Sequence, residues 1–272
     1  MTVCIAAICE KNKSIVVASD RMITAPFLAR EFEHDQSKIH VIDKEVVALT
    51  AGDATRAIDI FRIIESKLSS ESDNSTKEIA RMICEEYEKL RIQKIESIYF
   101  QPRGMTIEAF YKERAKQLPE QLAIFLDKCM SQQELGLSLI IAGIDESEAH
   151  IFTILDPGNM ECFDTIGFQA IGIGESHALN SLIGKKISIN DNLLTCIYNV
   201  YEAKKISEVA PGVGKFTDMS IINEEGIEHL TQKDIDIIDS AHKKLNEPKE
   251  ANIEDELKNL SIIKKNVESK EK

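Results

Sequence analysis

The sequence predicts an α+β fold in which two antiparallel sheets pack face to face and helices cover both outer sides, a four-layer αββα sandwich. The predicted elements run in the order strands, two helices, strands, two helices and a final strand. Separate runs of strands and helices are typical of α+β proteins. The strand segments are short, apolar and rich in β-branched residues, with turn residues between them.

The first strands surround the N-terminus and form two hairpins. They are predicted at residues 2–9, 14–18, 38–42 and 46–50. Residues 25–37 are charged and are predicted to be irregular, and the second hairpin ends in the turn Ala51-Gly52-Asp53. We expect these four strands to form one sheet around the N-terminus.

A helical region follows the two hairpins. One helix is predicted over residues 55–67 with Asp53 as its cap, and a second begins after the capping-box sequence Ser75-Thr76-Lys77-Glu78. Residues 96–135 include a helical pattern that Pro119 interrupts, which predicts two short helices.

The second half of the chain returns to strands and then to helices. Strands are predicted at residues 137–143, 149–154, 162–166, 168–171 and 218–222, and helices at 176–184 and 189–207. The last forty or so residues are charged and helical. We therefore predict one domain over residues 2–228, with a helical insertion at about 94–136 and a C-terminal extension at 229–272.

Composition excludes several classes of partner. The net charge is −13, whereas nucleic-acid-binding proteins carry a basic surface. Apolar runs such as residues 137–143 are too short to span a bilayer. No signal peptide is expected. The six cysteines form no CxxC pair, which favours buried thiols in a reducing compartment over a disulfide framework or a zinc site. We expect a cytoplasmic protein that uses neither a metal nor another cofactor.

Thr2 is the most informative single residue because it follows the initiator Met1. A threonine is small enough for the methionine to be removed by the cell. Thr2 would then carry a hydroxyl and a free α-amine, so the nucleophile would have its own base. The reference pKa of such an amine is near 7.7–8.0, which suits a general base at neutral pH.

The spacing of residues around Thr2 resembles that of the N-terminal-nucleophile (Ntn) hydrolases of the proteasome β-subunit type, including bacterial proteasome-like peptidases. Asp20 and Thr24 are four residues apart, and Lys38 and Gly52 are fourteen apart, as in that family. Residues 171–174, 156–158 and 217–222 resemble its later Gly-x-Gly turn, strand turn and final inner strand. The match covers roughly residues 2–93 and 137–228.

The resemblance implies a role for each matched residue. Thr2 Oγ would attack a carbonyl while its own amine or Lys38 takes the proton, and Asp20 would hold Lys38 and balance its charge. The backbone N–H of Gly52 would donate to the oxyanion. We further expect Thr24, Thr50, Gly172 and Gly174 to line the substrate site.

The chain departs from the family pattern at three places. Ile173 occupies the position of a serine between the two glycines, and Ala210 and Val213 occupy the positions of an assisting aspartate and serine. Glu175 and His177 are weaker candidates to replace that serine. His40 is expected to be packed or hydrogen-bonded rather than catalytic.

Three functions remain open on the sequence. The first is a threonine peptidase acting on a peptide or protein substrate. The resemblance implies that it works as a homo-oligomer, in a ring or helical assembly, and it admits an ATP-dependent unfoldase as partner. The second is amide transfer or peptide ligation through the same acyl-enzyme. The third is a non-catalytic ring or scaffold subunit, which the departures at Ile173, Ala210 and Val213 favour and the lack of a helix before the first strand disfavours.

Overall fold

The structure is a computed structural model of the 272-residue chain. It describes residues 2–25, 30–33, 37–68, 74–114, 118–146 and 148–246. Residues 24, 25, 30, 31, 113 and 114 are described by their main chain alone. Among the helices in these ranges, none combines the length and apolar character needed to cross a membrane.

The described strands form two five-stranded antiparallel sheets and a separate two-stranded ribbon. The strands are β1 Cys4–Cys9, β2 Ser14–Asp20, β3 Met22–Ala25, β4 Arg30–Glu33, β5 Ile39–Asp43, β6 Val46–Gly52, β7 Leu137–Asp145, β8 Glu148–Leu155, β9 Asn159–Cys162, β10 Phe168–Ile171, β11 Thr217–Asn223 and β12 Gly226–His229. The first sheet has the order β10-β1-β2-β11-β12, the second β5-β6-β7-β8-β9, and β3 pairs with β4.

Local signals mark the starts of several helices. Their bounds are α1 Ala54–Lys67, α2 Thr76–Ile95, α3 Ile107–Ala109, α4 Glu120–Ser131, α5 Glu175–Gly184, α6 Leu193–Ser207 and α7 Gln232–Leu245. Asp53 caps α1, and Ser75 and Glu78 form the predicted capping box at the start of α2. Pro119 directly precedes α4, so the predicted interruption is confirmed. Short π-helical and 3-10 turns occupy residues 96–103 and 110–114.

The two sheets pack face to face, and helices cover their outer faces. Strand β7 shows this arrangement because its side chains alternate between two apolar cores. Ile140 and Ala142 belong to the core between the sheets. Leu139 and Ile141 belong to the core that α1 and α2 cover. Helices α5 and α6 pack on β1, β2 and β10 of the first sheet. The predicted α+β class with two antiparallel sheets is therefore confirmed.

The pairing of the first two hairpins differs from the prediction. They do not form one sheet, because β1 pairs with β10 and β2 pairs with β11, so both edges of the first hairpin are occupied by distant strands. Strands β5 and β6 instead begin the second sheet. A prediction that pairs neighbours along the sequence misses these long-range partners.

Other differences are local. The segment predicted to be irregular at residues 25–37 contains β4 and the end of β3. Residues 163–167 lie between β9 and β10 rather than in a strand, and β12 was not predicted. Helix α6 begins at Leu193, four residues after the predicted start, because Asn192 caps it.

The helical insertion has a small core of its own. Ile95, Phe100, Phe110, Leu126 and Met130 pack together there, separate from the two cores that contact the sheets. The chain divides into two compact units, residues 1–235 and 236–272. The second unit is described through residue 246, as the continuation of α7. The predicted domain boundary at residue 228 stays a prediction.

His150 lies near the start of β8, among acidic side chains. Its Nδ1 is 2.7 Å from Asp164 Oδ2, and its Nε2 is 3.7 Å from Asp145 Oδ2. The hydrogen bond to Asp164 raises the pKa of His150 against the opposing effect of burial, and the charges of Asp164, Asp145 and Glu148 add to the rise. The protonated imidazole is thus the form that the fold favours.

This cluster predicts a pH-dependent contribution to stability. Because the folded pKa lies above the unfolded one, the contribution is complete below about pH 6.5 and is lost as pH rises through the folded value. His150→Gln should lower the free energy of unfolding by roughly 0.5–1 kcal/mol more at about pH 5.5 than at about pH 8.5, as measured by urea denaturation. His177→Gln, at an exposed position on α5, is the control. Equal losses for His150→Gln at both pH values would contradict the assignment.

Candidate active site

The folded chain brings Thr2, Asp20 and Lys38 to one end of the first hairpin. Cys4 pairs with Ser19, so Val3 faces Asp20, and Thr2 lies one residue further along, where β1 begins and β2 ends. Lys38 directly precedes β5 in the second sheet, and its carbonyl accepts the N–H of Thr50 at 3.2 Å. The site therefore depends on the packing of the two sheets as well as on the first hairpin.

The three side chains are mutually hydrogen-bonded. Thr2 Oγ donates to Asp20 Oδ1, and Lys38 Nζ donates to Thr2 Oγ. Lys38 Nζ also lies 2.8 Å from Asp20 Oδ1. Thr2 is 2% exposed and the Lys38 side chain 14%, so water screens this charge pair weakly. The hydroxyl oxygen is thus in direct contact with a group that can accept or supply a proton.

Asp20 is fully buried and both of its carboxylate oxygens are satisfied. Oδ1 accepts the Val3 N–H at 2.9 Å, and Oδ2 accepts the N–H groups of Met22 and Gly214, each at 2.9 Å. Burial acts to raise the pKa of Asp20, but the Lys38 charge and the hydrogen bonds from Lys38, Thr2 and Gly214 outweigh it and hold the pKa below its usual value. Asp20 is therefore an ionised carboxylate that stabilises the ammonium of Lys38.

Cys4 is the other nucleophilic side chain near the cluster. Its Sγ lies 3.3 Å from the Thr50 carbonyl oxygen, and the residue is completely buried. Burial raises the pKa of the Cys4 thiol to about 12, although the Lys38 charge partly opposes the rise. Since the thiolate is the reactive form, Cys4 is a packing residue in this structure.

Gly172 and Gly174 lie against the main chain of Thr2. Gly172 has φ +96°, and a Cβ there would come within 2.4 Å of the Thr2 carbonyl oxygen. The Gly174 N–H donates to that oxygen at 3.2 Å. These contacts fix the main chain of Thr2. A role for either glycine in substrate binding stays a prediction.

Gly52 and Thr50 lie at the end of β6. Gly52 has φ +102°, and a Cβ there would be 2.1 Å from the Gly136 carbonyl oxygen, so the position requires glycine. Thr50 is buried and contacts Cys4 through its carbonyl. The main chain of Thr24 lies in β3, and its side chain is outside the described part of the chain. The oxyanion role of Gly52 and the substrate roles of Thr50 and Thr24 stay predictions.

The positions that depart from the resemblance are apolar in the structure as well. Ile173 is 50% exposed beside the two glycines. Ala210 and Val213 are buried, and Val213 Cγ2 would lie 3.0 Å from a Cβ placed on Gly174. Glu175 is half-buried, which raises the pKa of its carboxyl, and His177 is exposed. His40 packs against Phe61, with ring centroids 5.1 Å apart, and burial lowers its pKa.

Sequence reasoning missed three residues around Asp20. Gly214 donates to it, and Glu33 and Lys204 hold the segment to which Gly214 belongs. A signal for Lys204 was present in the sequence. Cys196, Val200 and Ser207 place Lys204 on the apolar face of α6 at helical spacing, where a lysine needs a buried partner.

The described residues contain no group of three or more His, Cys, Asp or Glu side chains that could hold a metal ion. All six cysteines are free thiols. A comparison with protein-family models and with curated proteins gave no match to this chain.

The close contact between Gly172 and Thr2 predicts the effect of a single methyl group. Gly172→Ala should lower the free energy of unfolding by about 1–3 kcal/mol, since the backbone conformation and the Thr2 carbonyl both oppose a Cβ. Urea denaturation measures the change. Gly184→Ala is the matched control, because a Cβ there would have no neighbour within 4 Å and should be neutral or stabilising by up to about 1 kcal/mol. If the two variants behaved alike, this account of Gly172 would be wrong.

Proposed function

We propose that the chain is a proteasome β-like Ntn hydrolase, a threonine-type peptidase or amidohydrolase that acts through Thr2 after Met1 is removed. The observation that carries the proposal is the hydrogen-bonded group of Thr2 Oγ, Lys38 Nζ and Asp20 Oδ1. A nucleophile in contact with a possible base, itself oriented by a third group, is the usual arrangement for covalent catalysis. The residue spacing that resembles the Ntn family supports the same conclusion.

The reaction would proceed through an ester on Thr2. Oγ forms a bond to the carbonyl carbon of an amide, and its proton passes to the Thr2 amine or to Lys38. The C–N bond then breaks, and the leaving amine takes up that proton. Water hydrolyses the ester, which releases the acid and restores the hydroxyl. Thr2 is 2% exposed in the full-length chain, so removal of Met1 must both free the amine and open the hydroxyl to a substrate.

The remaining parts of the proposal follow from the resemblance. The Gly52 N–H would donate to the oxyanion at the end of β6. The substrate is a peptide or protein, and the working form is a homo-oligomer, a ring or helical assembly, with an ATP-dependent unfoldase as a candidate partner. We place the protein in the cytoplasm, an assignment that its six free thiols support. An amine in place of water would resolve the same ester, giving amide transfer or peptide ligation.

A non-catalytic subunit is the competing function, and one observation favours it. The side chains of Ala210 and Val213 are buried and apolar where the resemblance expects an assisting aspartate and serine. In a scaffold, the Thr2 group would be a structural hydrogen-bond cluster, and Thr2 would form no adduct even where Met1 is removed.

Intact mass before and after treatment with a β-lactone or epoxyketone separates these functions. We expect the purified chain to lack one methionine residue and to gain a single adduct. Thr2→Ala should lose Met1 but gain no adduct, whereas Thr2→Ser should lose Met1 and still react. A retained Met1, or a trimmed Thr2 that never reacts, would falsify the enzyme proposal and favour the scaffold.

Removing the Lys38 charge tests the role of Lys38. Lys38→Met should slow adduct formation by about 10²-fold or more, because Lys38 either accepts the Oγ proton itself or supplies the positive charge that keeps the terminal amine neutral. Lys44→Met, at an exposed position in the turn between β5 and β6, is the control and should react at the wild-type rate. Circular dichroism checks that both variants fold. A folded Lys38→Met protein that reacts as fast as the wild type would contradict this role.

A further inference from the structure

Lys204 is a buried cation that the reaction described above does not use. It lies on the inner face of α6 and is 0% exposed. Its Nζ is 2.7 Å from Glu208 Oε1, 2.8 Å from the Gly214 carbonyl oxygen and 2.9 Å from the Lys215 carbonyl oxygen. A buried ammonium is costly unless its donors are satisfied, and two of these three partners are main-chain groups of one segment.

Glu33 binds the amide N–H groups of the same segment, whereas Lys204 binds its carbonyl groups. This carboxylate, at the end of β4, accepts the N–H of Lys215 and the N–H of Phe216, the latter at 3.0 Å. Lys204 thus holds carbonyl groups and Glu33 holds amide groups of residues 214–216. Two opposite charges from distant parts of the chain fix the orientation of the peptide planes between them.

The segment that they hold contacts the catalytic group. Gly214 donates its N–H to Asp20 Oδ2 at 2.9 Å, and the next strand, β11, pairs Thr217 with Asp20. A Cβ on Gly214 would be 2.5 Å from Glu33 Oε1 and 3.0 Å from the Met22 nitrogen, so this approach requires glycine. The orientation of the Gly214 N–H therefore depends on contacts made by the residues around it.

We propose that Lys204 and Glu33 are positioning residues, which hold residues 214–216 so that the Gly214 N–H keeps Asp20 ionised and aligned with Lys38 and Thr2. The catalytic part of this proposal rests on the proposed function of Thr2. Its structural part concerns Asp20 alone and can be measured without activity. Lys204 and Glu33 together form a clamp on residues 214–216. Ala210 and Val213, where the resemblance expects polar side chains, lie just before this segment.

Substitutions of Glu33 offer a test, because losing its charge and losing its hold on residues 214–216 would shift the pKa of Asp20 in opposite directions. Glu33→Ala removes a negative charge near Asp20, which alone would lower the pKa of Asp20. The same change releases the Lys215 and Phe216 amides and so misplaces the Gly214 N–H, which would raise that pKa. Glu33→Gln removes the charge but keeps an oxygen acceptor for the two amides.

The experiment measures the Asp20 carboxyl titration by carbon NMR and the rate of adduct formation with the β-lactone across pH. In Glu33→Ala and in Lys204→Met we expect the Asp20 pKa to rise. We also expect the maximal labelling rate to fall about tenfold or more, with little change in the inhibitor concentration for half-maximal rate. Glu33→Gln should restore both properties. Lys205→Met is the matched control. Lys205 also pairs with Glu208, but the described hydrogen bonds of its side chain include none to the carbonyl groups of residues 214–216.

Each outcome decides the proposal. Wild-type titration and labelling in folded Glu33→Ala protein would overturn it, as would a lowered Asp20 pKa in that variant or equal effects of the Ala and Gln changes. If Lys204→Met does not fold, the two Glu33 variants decide alone. If the wild-type chain never forms an adduct, the proposed function fails, and the Asp20 titration still determines whether the clamp positions that carboxylate.

Discussion

The structure around Thr2 depends on a carboxylate that has no contact with solvent. An isolated buried charge is strongly unfavourable, so Asp20 requires donors from every side. Val3 and Met22 supply main-chain N–H groups from the first hairpin and its continuation, Lys38 supplies an ammonium from the second sheet, and Gly214 supplies an N–H from the segment before β11. Four separate parts of the chain are thus brought to one point. The contacts of Asp20 and Lys38 therefore fix the position of the Thr2 hydroxyl.

The two sheets have different parts in building the site. The first sheet brings Thr2 within reach of Asp20, since the pairing of β1 with β2 places Val3 opposite Asp20. The second sheet carries Lys38 at the start of β5 and Gly52 at the end of β6. The apolar core between the sheets therefore sets the distance from Lys38 to Thr2, and a change in that core would act on the reactive group from a distance. Gly172 leaves room for the Thr2 carbonyl, and the Gly174 N–H donates to it.

Local patterns in the sequence predicted much of this arrangement. The hairpin of residues 2–18, the capping box at Ser75 and the break at Pro119 depend on neighbouring residues, and each is confirmed. The grouping of Thr2, Asp20 and Lys38 was predicted from the resemblance in spacing. The prediction that the first two hairpins form one sheet was wrong. Strands β10 and β11, which flank the first hairpin, lie more than a hundred residues away in the sequence, and no local pattern encodes that pairing. Gly214 and Glu33 were missed for the same reason: their partners are defined by β11 pairing with β2.

The charge balance at Asp20 explains how an N-terminal amine would gain its function. Asp20 carries one negative charge, and the ammonium of Lys38 already lies against it at 2.8 Å. Removal of Met1 would add a second amine beside this pair, and a second positive charge there would be repelled by Lys38. Of the two amines, the chain terminus releases its proton more readily than a lysine side chain does. On the proposed function, the terminal amine is therefore favoured over Lys38 as the acceptor of the Oγ proton.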